Sequence, residues 1–249
     1  MKIRKALGLL LVAAAMPSAQ AEDIEKNAWH ISPYFWLPSM DVTSKVPGLP
    51  PTDLDLSFGD IWDNFDVFAI SARGEYWWGQ WGIIGDGLWM SLETDSVGGS
   101  PIGLEIADGI VDILAGYRFN LKEGGPDVPS MRLLAGGRYH YLKQEVSGPS
   151  TTGGSRDWME PVLGAQLLAP MGDKWLATAR GDVGGFGISD ASDMTWSAMA
   201  GVGWEFAQDW LLKLGYRYYY IDYTDGSGLG AFGLEGNMHG PWIGVSYGL

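Results

Sequence analysis

Residues 195–206 read TWSAMAGVGWEF and residues 210–222 read WLLKLGYRYYYID, with only the turn AQD between them. In the first segment, large apolar residues alternate with small or polar ones. In the second segment, Leu214 points to the face opposite Lys213 and Arg217. A period of two is typical of a strand with one apolar and one polar face. The two segments therefore predict an antiparallel hairpin.

The same alternation recurs along the chain and predicts ten strands. We expect them at 29–42, 66–78, 81–92, 104–119, 131–145, 158–168, 174–187, 195–206, 210–222 and 234–248. Connections at 79–80, 120–130, 169–173 and 207–209 alternate with connections at 43–65, 93–103, 146–156, 188–193 and 223–233. An even strand number, with short turns on one side and longer loops on the other, is typical of bacterial transmembrane barrels.

The composition favours strands in lipid over a soluble domain. The chain has 13 Trp, 11 Tyr and 37 Gly among 249 residues, and only 18% of its residues are charged. Interfacial aromatics are typical of barrel girdles, and only a closed sheet satisfies every backbone group in lipid. We predict an all-β fold: a closed antiparallel transmembrane up-and-down β-barrel of about ten strands, within a range of roughly 8–12. A secreted β-sandwich is the alternative.

The N-terminal segment 1–21 has the features of a cleaved signal peptide. Three basic residues precede the apolar run 6–15, and AQA stands at 19–21. The apolar run is too short for a membrane-spanning helix. We therefore expect the mature chain, 22–249, to form a single barrel domain in the cell outer membrane.

Fourteen charged residues on the strands fall on the face that alternation assigns to the lumen, seven of each sign. The basic ones are Arg73, Arg118, Arg132, Arg138, Arg180, Lys213 and Arg217, and the acidic ones are Glu75, Asp86, Asp108, Asp112, Glu160, Asp182 and Glu205. Charges at bilayer depth must be paired or hydrated. The equal numbers predict a narrow lumen crossed by ion pairs. A small gated or leaky conduit and a catalytic pair among the carboxylates are the alternatives.

The connection 43–65 differs from the other loops because parts of it have secondary-structure patterns. Residues 52–58 alternate like a short strand, and residues 59–65 resemble a helical turn. The apolar side chains of this segment, Phe58, Ile61, Trp62 and Phe65, are rarely left exposed in a loop. Either the segment caps or plugs the outer opening, or it is a hairpin packed on neighbouring loops.

Few residues offer catalytic or metal chemistry. The three histidines, His30, His140 and His239, belong to no metal-ligand or triad spacing, and there is no cysteine. His140 with Glu145 or Ser147 is the best catalytic combination, and we predict no enzyme, no cofactor and no metal. The formal net charge of −14 argues against nucleic acid as a partner.

Two stretches carry a family resemblance. WHISPYFW at 29–36, and LDLSFGDIWDN at 54–64 followed by a strand with Arg73, Glu75 and a Trp-Gly turn, resemble small Gram-negative outer-membrane β-barrels of the OmpA/OmpW-like type. The resemblance spans the whole mature chain. It implies outer-membrane lipid, lipopolysaccharide, periplasmic chaperones and the barrel-assembly machinery as partners, and it leaves the oligomeric state open.

The C-terminal residues Gly244, Tyr247 and Leu249 resemble a barrel-assembly signal, with leucine in place of the usual terminal phenylalanine. From these features we expect a non-catalytic outer-membrane barrel that is structural or weakly pore-forming. The alternatives are a porin-like channel for a small solute gated by 43–65, and an outer-membrane hydrolase or lipid A-modifying enzyme.

Overall fold

The computed structural model describes residues 28–96, 101–122 and 128–248. The predicted signal peptide at 1–21 and the predicted assembly residue Leu249 therefore lie outside the described residues.

The described chain is almost entirely β-structure. Its strands are β1 (Ala28–Trp36), β2 (Ser39–Lys45), β3 (Thr52–Leu56), β4 (Asp66–Trp78), β5 (Trp81–Thr94), β6 (Gly103–Asn120), β7 (Ser130–Ser147), β8 (Thr152–Met171), β9 (Trp175–Gly185), β10 (Met194–Ala207), β11 (Trp210–Asp225) and β12 (Phe232–Gly248). One α-helix, α1 (Phe58–Asn64), precedes β4, and a 3₁₀ turn (Gly228–Gly230) precedes β12. No helix among the described residues has both the length and the apolar character needed to cross a membrane.

Ten of the strands form one closed antiparallel wall. Strands β4 to β12 pair with their sequence neighbours, and β1 pairs with both β4 and β12. The closing seam runs from His30 opposite Gly248 to Trp36 opposite Trp242. Strands β2 and β3 extend the wall beyond β1, because β2 pairs with the far half of β12 and β3 pairs with β2. The predicted ten-stranded closed barrel is confirmed.

The two ends of the barrel differ in their connections. Ala28, Gly248 and the turns after β4, β6, β8 and β10 share one end. The turn after β4 has only two residues, and Gly79 adopts a φ of 59° there, which favours glycine. Short turns mark the periplasmic side of bacterial barrels. We therefore call this end periplasmic and the other end outer.

The predicted first strand, 29–42, is wrong as a single element. It breaks at Leu37 and Pro38 into β1 and β2. Leu37 donates its N–H to the carbonyl of Pro241 at 3.0 Å, whereas Pro38 has no N–H to contribute to a ladder. The break lets β2 pair with β12 while β1 keeps its pairing with β4.

The predicted loop at 146–156 is also wrong. Strand β7 runs to Ser147, and β8 already begins at Thr152. Gly153 has a φ of 157°, and a Cβ at this position would overlap the backbone around Gln144. Glycines and small polar residues have weak strand preference, but pairing with β7 overrides it here.

The outward surface divides into an apolar band and a polar outer half. Exposed side chains of the band include Ile70, Ile113, Leu133, Leu163, Leu214 and Ile243. Exposed aromatics near the periplasmic turns include Trp29, Trp78, Trp81, Trp175, Trp204 and Phe206. On the outer side, Trp89 stacks on Tyr141 and Trp196 stacks on Tyr218. An apolar band between aromatic girdles matches the lipid-facing surface of a transmembrane barrel.

The wall is taller than the membrane requires. Strand β8 has 20 residues, whereas about ten residues suffice to cross a bilayer. Beyond the outer girdle, the outward surface has ion pairs whose side chains are partly exposed to solvent. Examples are Lys143 with Glu105 at 2.7 Å and Lys45 with Glu235 at 3.1 Å. The outer half of the barrel therefore stands outside the membrane.

Candidate functional site

The lumen is the candidate functional site, and its contents change along the barrel axis. The inward-facing side chains of β7 show the order from the periplasmic end outward: Arg132, Leu134, Arg138, His140, Leu142 and Gln144. All six are buried, and Arg138, His140 and Gln144 have no exposed surface. Because inward side chains of an open channel contact water, this part of the lumen is filled.

The outermost level is an apolar core inside the barrel, which we call the outer apolar cluster. It contains Trp36, Met40, Val42, Ile61, Phe65, Leu88, Met90, Leu92, Leu104, Ile106, Ile110, Leu142, Trp158, Tyr219, Ile221, Tyr223, Phe232, Leu234, Met238 and Trp242. A lumen filled in this way resembles the interior of a soluble barrel more than that of a water-filled pore.

The opposite walls of the barrel touch at this level. Gln144 on β7 donates its side-chain N–H to the carbonyl of Gly233 on β12 at 2.8 Å and accepts a hydrogen bond from Ser44 on β2. Four strands separate β7 from β12 in either direction around the wall. This hydrogen bond crosses the lumen between opposite strands, and the Gln144 side chain that makes it has no exposed surface.

The segment 43–65 contacts the outer end of the barrel at several points. Ile61 of α1 and the following Phe65 are buried in the outer apolar cluster. At the tip of the β2–β3 hairpin, the Pro47 carbonyl accepts a hydrogen bond from Thr152 of β8 at 2.5 Å. The Gly48 N–H donates to the carbonyl of Leu229 at 2.7 Å. The tip therefore reaches across the mouth to two other outer elements.

The other two apolar residues predicted for the cap lie on the rim. Phe58 and Trp62 are half-buried, and their ring centroids are 5.9 Å apart. Helix α1 begins with a capping box: Ser57 accepts from the N–H of Asp60 at 3.1 Å, and Asp60 accepts from the N–H of Ser57 at 3.0 Å. The Ser57 hydroxyl also donates to the Asp60 carboxylate, and this bond, with the one from the Ser57 N–H, lowers the pKa of the Asp60 carboxyl.

Below the apolar cluster lies the ion-pair layer, which is centred on Arg138. Its guanidinium contacts Asp112 at 2.6 Å and 3.1 Å and Asp182 at 2.7 Å, and it lies 3.8 Å from Glu160. The side chain of Thr195 hydrogen-bonds to Glu160. Several strands are thereby joined through one cation that is fully removed from solvent.

Three further arginines complete the layer. Arg180 lies 3.1 Å from Asp112, 3.0 Å from Asp182 and 3.6 Å from Asp86. Arg73 pairs with Glu75 at 2.7 Å and Asp86 at 3.2 Å, and Arg132 pairs with Glu75 at 2.8 Å. The layer thus comprises nine of the fourteen predicted lumen charges: Arg73, Glu75, Asp86, Asp112, Arg132, Arg138, Glu160, Arg180 and Asp182.

The structure does not bring the other five predicted lumen charges into these ion pairs. Asp108 is buried on the outer side of the layer, beside the outer apolar cluster. Arg118 instead donates to the carbonyl of Gly79 at 3.0 Å, at a periplasmic turn. Glu205, Lys213 and Arg217 line the periplasmic part of the lumen. The Arg217 guanidinium lies 4.9 Å from the ring centroid of Trp36 and 5.4 Å from that of Tyr219.

Several inward aromatics escaped the sequence analysis, which interpreted the abundance of aromatic residues as a sign of interfacial girdles. Trp158 is buried and stacks between His140 and Tyr223, with the ring centroids of Trp158 and Tyr223 3.6 Å apart. Trp77 is also buried, and Arg132 lies 4.2 Å above its ring. Strict alternation along each strand would have placed both residues inward.

The best catalytic combination from the sequence does not assemble. His140 faces the lumen, 3.2 Å from Glu160, whereas Glu145 is on the outer surface with Lys143. Residue 147 is an odd number of positions from His140 and therefore also faces outward. His239 is on the outward face, where its Nδ1 lies 2.6 Å from the Tyr216 hydroxyl.

The periplasmic half of the lumen is open, and we call it the periplasmic chamber. It is a cavity of about 330 Å³ that extends from the ion-pair layer to the turn at 172–174. Its wall includes His30, Arg118, Arg132, Lys213, Arg217 and Trp242. Within the described ranges, no group of three or more His, Asp or Glu side chains is placed to hold a metal ion.

Gly244 and Tyr247, the two predicted assembly residues that the structure describes, lie on the closing seam. Gly244 faces Tyr34, and a Cβ on Gly244 would come within 2.8 Å of the Tyr34 Cβ. Tyr247 packs against Trp210, with ring centroids 4.6 Å apart. Recognition of these residues by assembly factors stays a prediction.

The closed up-and-down wall, the apolar band and the two aromatic girdles define a small β-barrel of the Gram-negative outer membrane. Among solved structures, the outer membrane protease OmpT from Escherichia coli is similar with a TM-score of 0.52 and 10% identity, over 94% of this chain and 99% of that chain. Ail, the attachment invasion locus protein of Yersinia pestis, aligns with a TM-score of 0.42 and 15% identity, over 90% and 99%.

The likeness to OmpT shows a shared fold. It confirms the predicted resemblance at the level of small outer-membrane barrels, without singling out the OmpA/OmpW-like type. In sequence, no protein-family model and no curated protein matches this chain.

Proposed function

We propose that this protein is a non-conducting, non-catalytic outer-membrane barrel, sealed from the outside by its own side chains and by the segment 43–65. Its outer half is a rigid platform that stands above the membrane. The contact between Gln144 and Gly233 across the lumen is the observation that carries the proposal.

The ion-pair layer supports this proposal as a second seal. Arg138 and Glu160 are almost fully buried, and their partners come from strands around the wall. A single buried cation shared by several carboxylates is a poor gate, because opening it would leave charges without partners. Arg138 therefore favours a permanent closure over a solute channel gated by 43–65.

A non-catalytic role is supported by the position of the candidate groups. His140 has no exposed surface, and Glu160 is only 2% exposed. A general base must reach the proton that it abstracts, directly or through one water. Neither side chain is accessible to a substrate from the outer face or from the periplasmic chamber, whose wall does not include them.

The test is the ion conductance of the refolded full-length barrel in planar lipid bilayers. We expect no steady current above the bilayer baseline, and no swelling of proteoliposomes in small sugars. A general porin reconstituted in the same bilayer provides the control for sensitivity. Large and stable openings of the wild-type barrel would contradict a sealed lumen and favour the channel.

A further inference from the structure

The outer half of the wall is interrupted beside β4. Strand β1 pairs with β4 only as far as Tyr34 opposite Ser71. Above that level β1 stays with β12, up to Trp36 opposite Trp242. Strand β3 pairs with β2 and not with β4. The first five residues of β4, 66–70, therefore have a strand partner on one side only, which is β5.

The side chains of this stretch are exposed as the missing neighbour requires. Val67 points toward the lumen, like Glu75 on the same strand, yet it is 37% exposed. Leu92, directly opposite Val67 on β5, has no exposed surface. Phe68 and Ile70, on the outward face, are 59% and 60% exposed. Residues 66–70 are thus a free strand edge that carries apolar side chains.

The charged side chains beside this edge are acidic. Asp66 lies opposite Glu93 of β5, and neither has an ion-pair partner among the described residues. On the far side of the opening, β3 presents Asp53 and Asp55 on its outward face. From residue 46 to residue 72 the sequence has no Lys, Arg or His. A partner that fits this edge is therefore apolar in one part and basic in another.

A free edge with unpaired backbone groups is a template for a further strand. We infer that residues 66–70 bind an extended peptide segment of a partner protein, which adds to β4 as an antiparallel strand. The segment runs toward the outer end of the barrel, along the line that β1 leaves at Tyr34. Its apolar residues pair with Ile70 and Phe68, and basic residues at its C-terminal end lie beside Asp66 and Glu93.

A second copy of this chain does not fit this edge. Two copies that stand upright in one membrane have their β3 and β4 strands running in the same direction, from the outer end toward the periplasm. Such edges pair only in parallel, which is slightly less stable per residue than antiparallel pairing. Two β4 edges would also bring Asp66 close to its own counterpart, and like charges opposite each other are destabilising.

The experiment measures peptide binding to the full-length barrel in phosphatidylcholine nanodiscs by fluorescence anisotropy. The probe is a fluorescein-labelled peptide of six residues: Val, Ala, Phe and Val, followed by two lysines. We expect saturable binding, together with increased hydrogen-exchange protection of the amides in the stretch 66–70. The same peptide with two glutamates in place of the lysines should bind at least about threefold more weakly, because its charges then repel those of the edge.

Two further peptides test whether the backbone makes the contact. Each is N-methylated at alternate nitrogens, in one of the two possible phases, so that the side chains are unchanged. The phase whose nitrogens face β4 should bind at least about tenfold more weakly, because its ladder donors are lost. The other phase should bind nearly as well as the unmodified peptide. Equal affinities of the two phases would overturn strand addition.

Asp66→Lys should weaken binding of the basic peptide at least about threefold and strengthen binding of the acidic one. Asp222→Lys is the matched control, because Asp222 is also on the outward face but β11 is paired on both sides there, with Met194 and Glu235. It should leave both affinities unchanged. Absence of saturable binding, equal effects of the two substitutions, or protection confined to other strands would overturn the inference.

Nanodiscs that contain lipopolysaccharide distinguish a peptide partner from a lipid. If lipid covers this edge, the amides of 66–70 will be protected before any peptide is added and the peptide will no longer bind, which would overturn the inference. An unchanged titration would support it. Conductance by the wild-type barrel would refute the sealed lumen without altering this titration, so the two proposals fail separately.

Discussion

Arg138 and Asp112 are opposite each other on β7 and β6 and share two hydrogen bonds, of 2.6 Å and 3.1 Å. Asp112 also binds Arg180, and Arg138 also binds Asp182, so this pair is the centre of the ion-pair layer. A buried pair contributes little relative to an apolar replacement, but removing one partner leaves an uncompensated charge.

Replacing Arg138 with methionine is therefore expected to destabilise the barrel by about 3–5 kcal/mol. The measurement is urea-induced unfolding in lipid vesicles, followed by tryptophan fluorescence. Arg156→Met is the control, because its ion pair with Asp225 is about half exposed and should contribute at most about 1 kcal/mol. If Arg138→Met lowered the free energy of unfolding no more than Arg156→Met, the ion-pair layer would add no more stability than an exposed ion pair.

A second prediction concerns the space beneath Trp77. A Cβ on Gly82 would lie 2.5 Å from the indole ring of Trp77, whereas a Cβ on Gly74 would meet nothing within 4 Å. Gly82→Ala should therefore lower the free energy of unfolding by about 1–3 kcal/mol through overpacking. Gly74→Ala should change it little, and both variants are measured by the same urea titration. Partial rescue of Gly82→Ala by Trp77→Leu would assign the cost to the ring.

Alternation alone predicted the wall of the barrel well. Strand β4 begins and ends where the sequence predicted, at Asp66 and Trp78, because Ser71, Arg73 and Glu75 alternate with small or apolar residues and a two-residue turn follows. The inward position of charges such as Arg138 and Glu160 followed from the same period, since successive side chains point to opposite faces. These features depend only on local geometry.

Features set by long-range packing were not predictable in this way. Alternation places Trp158 on the inward face of β8, but it does not reveal the stacking of its ring on Tyr223, 65 positions along the chain. The outer limit of the lipid also was not visible in the sequence. Inward leucines above that limit form a dry core, and inward charges below it form ion pairs. Which lumen charges form ion pairs depends on their height along the barrel axis. Lys213 lies at a height where it forms no ion pair with a described residue.

The segment 43–65 is expected to stabilise the barrel through Ile61 and Phe65, which are buried in the outer apolar cluster. Each alanine substitution should cost about 2–5 kcal/mol, measured as the loss of resistance to thermal unfolding. Asp63→Ala, on the exposed side of α1, is the control. Because Gln144 still bridges the walls below, we expect both alanine variants to remain non-conducting. A steady current in Phe65→Ala would make the segment itself the gate.

The last prediction concerns the pH dependence of α1, which lies outside the membrane. Hydrogen bonds from the side chain and N–H of Ser57 lower the pKa of the Asp60 carboxyl. A lowered pKa means that the folded helix end favours the charged carboxylate, so its contribution is complete above the ordinary carboxyl pKa and is lost as the pH falls through the lowered value. Helix α1 should therefore fray at acidic pH.

Cα chemical shifts of residues 58–64 should move toward coil values as the pH falls. In Ser57→Ala the helix should be weaker at neutral pH, because an N-cap contributes about 1 kcal/mol. Its remaining pH response should also be smaller, since the hydroxyl that favours the carboxylate is absent. Asp63→Asn, outside the capping box, should retain the wild-type response. The same response in Ser57→Ala as in the wild type would mean that another group controls the helix, because the hydrogen bonds between Ser57 and Asp60 would then contribute nothing to it.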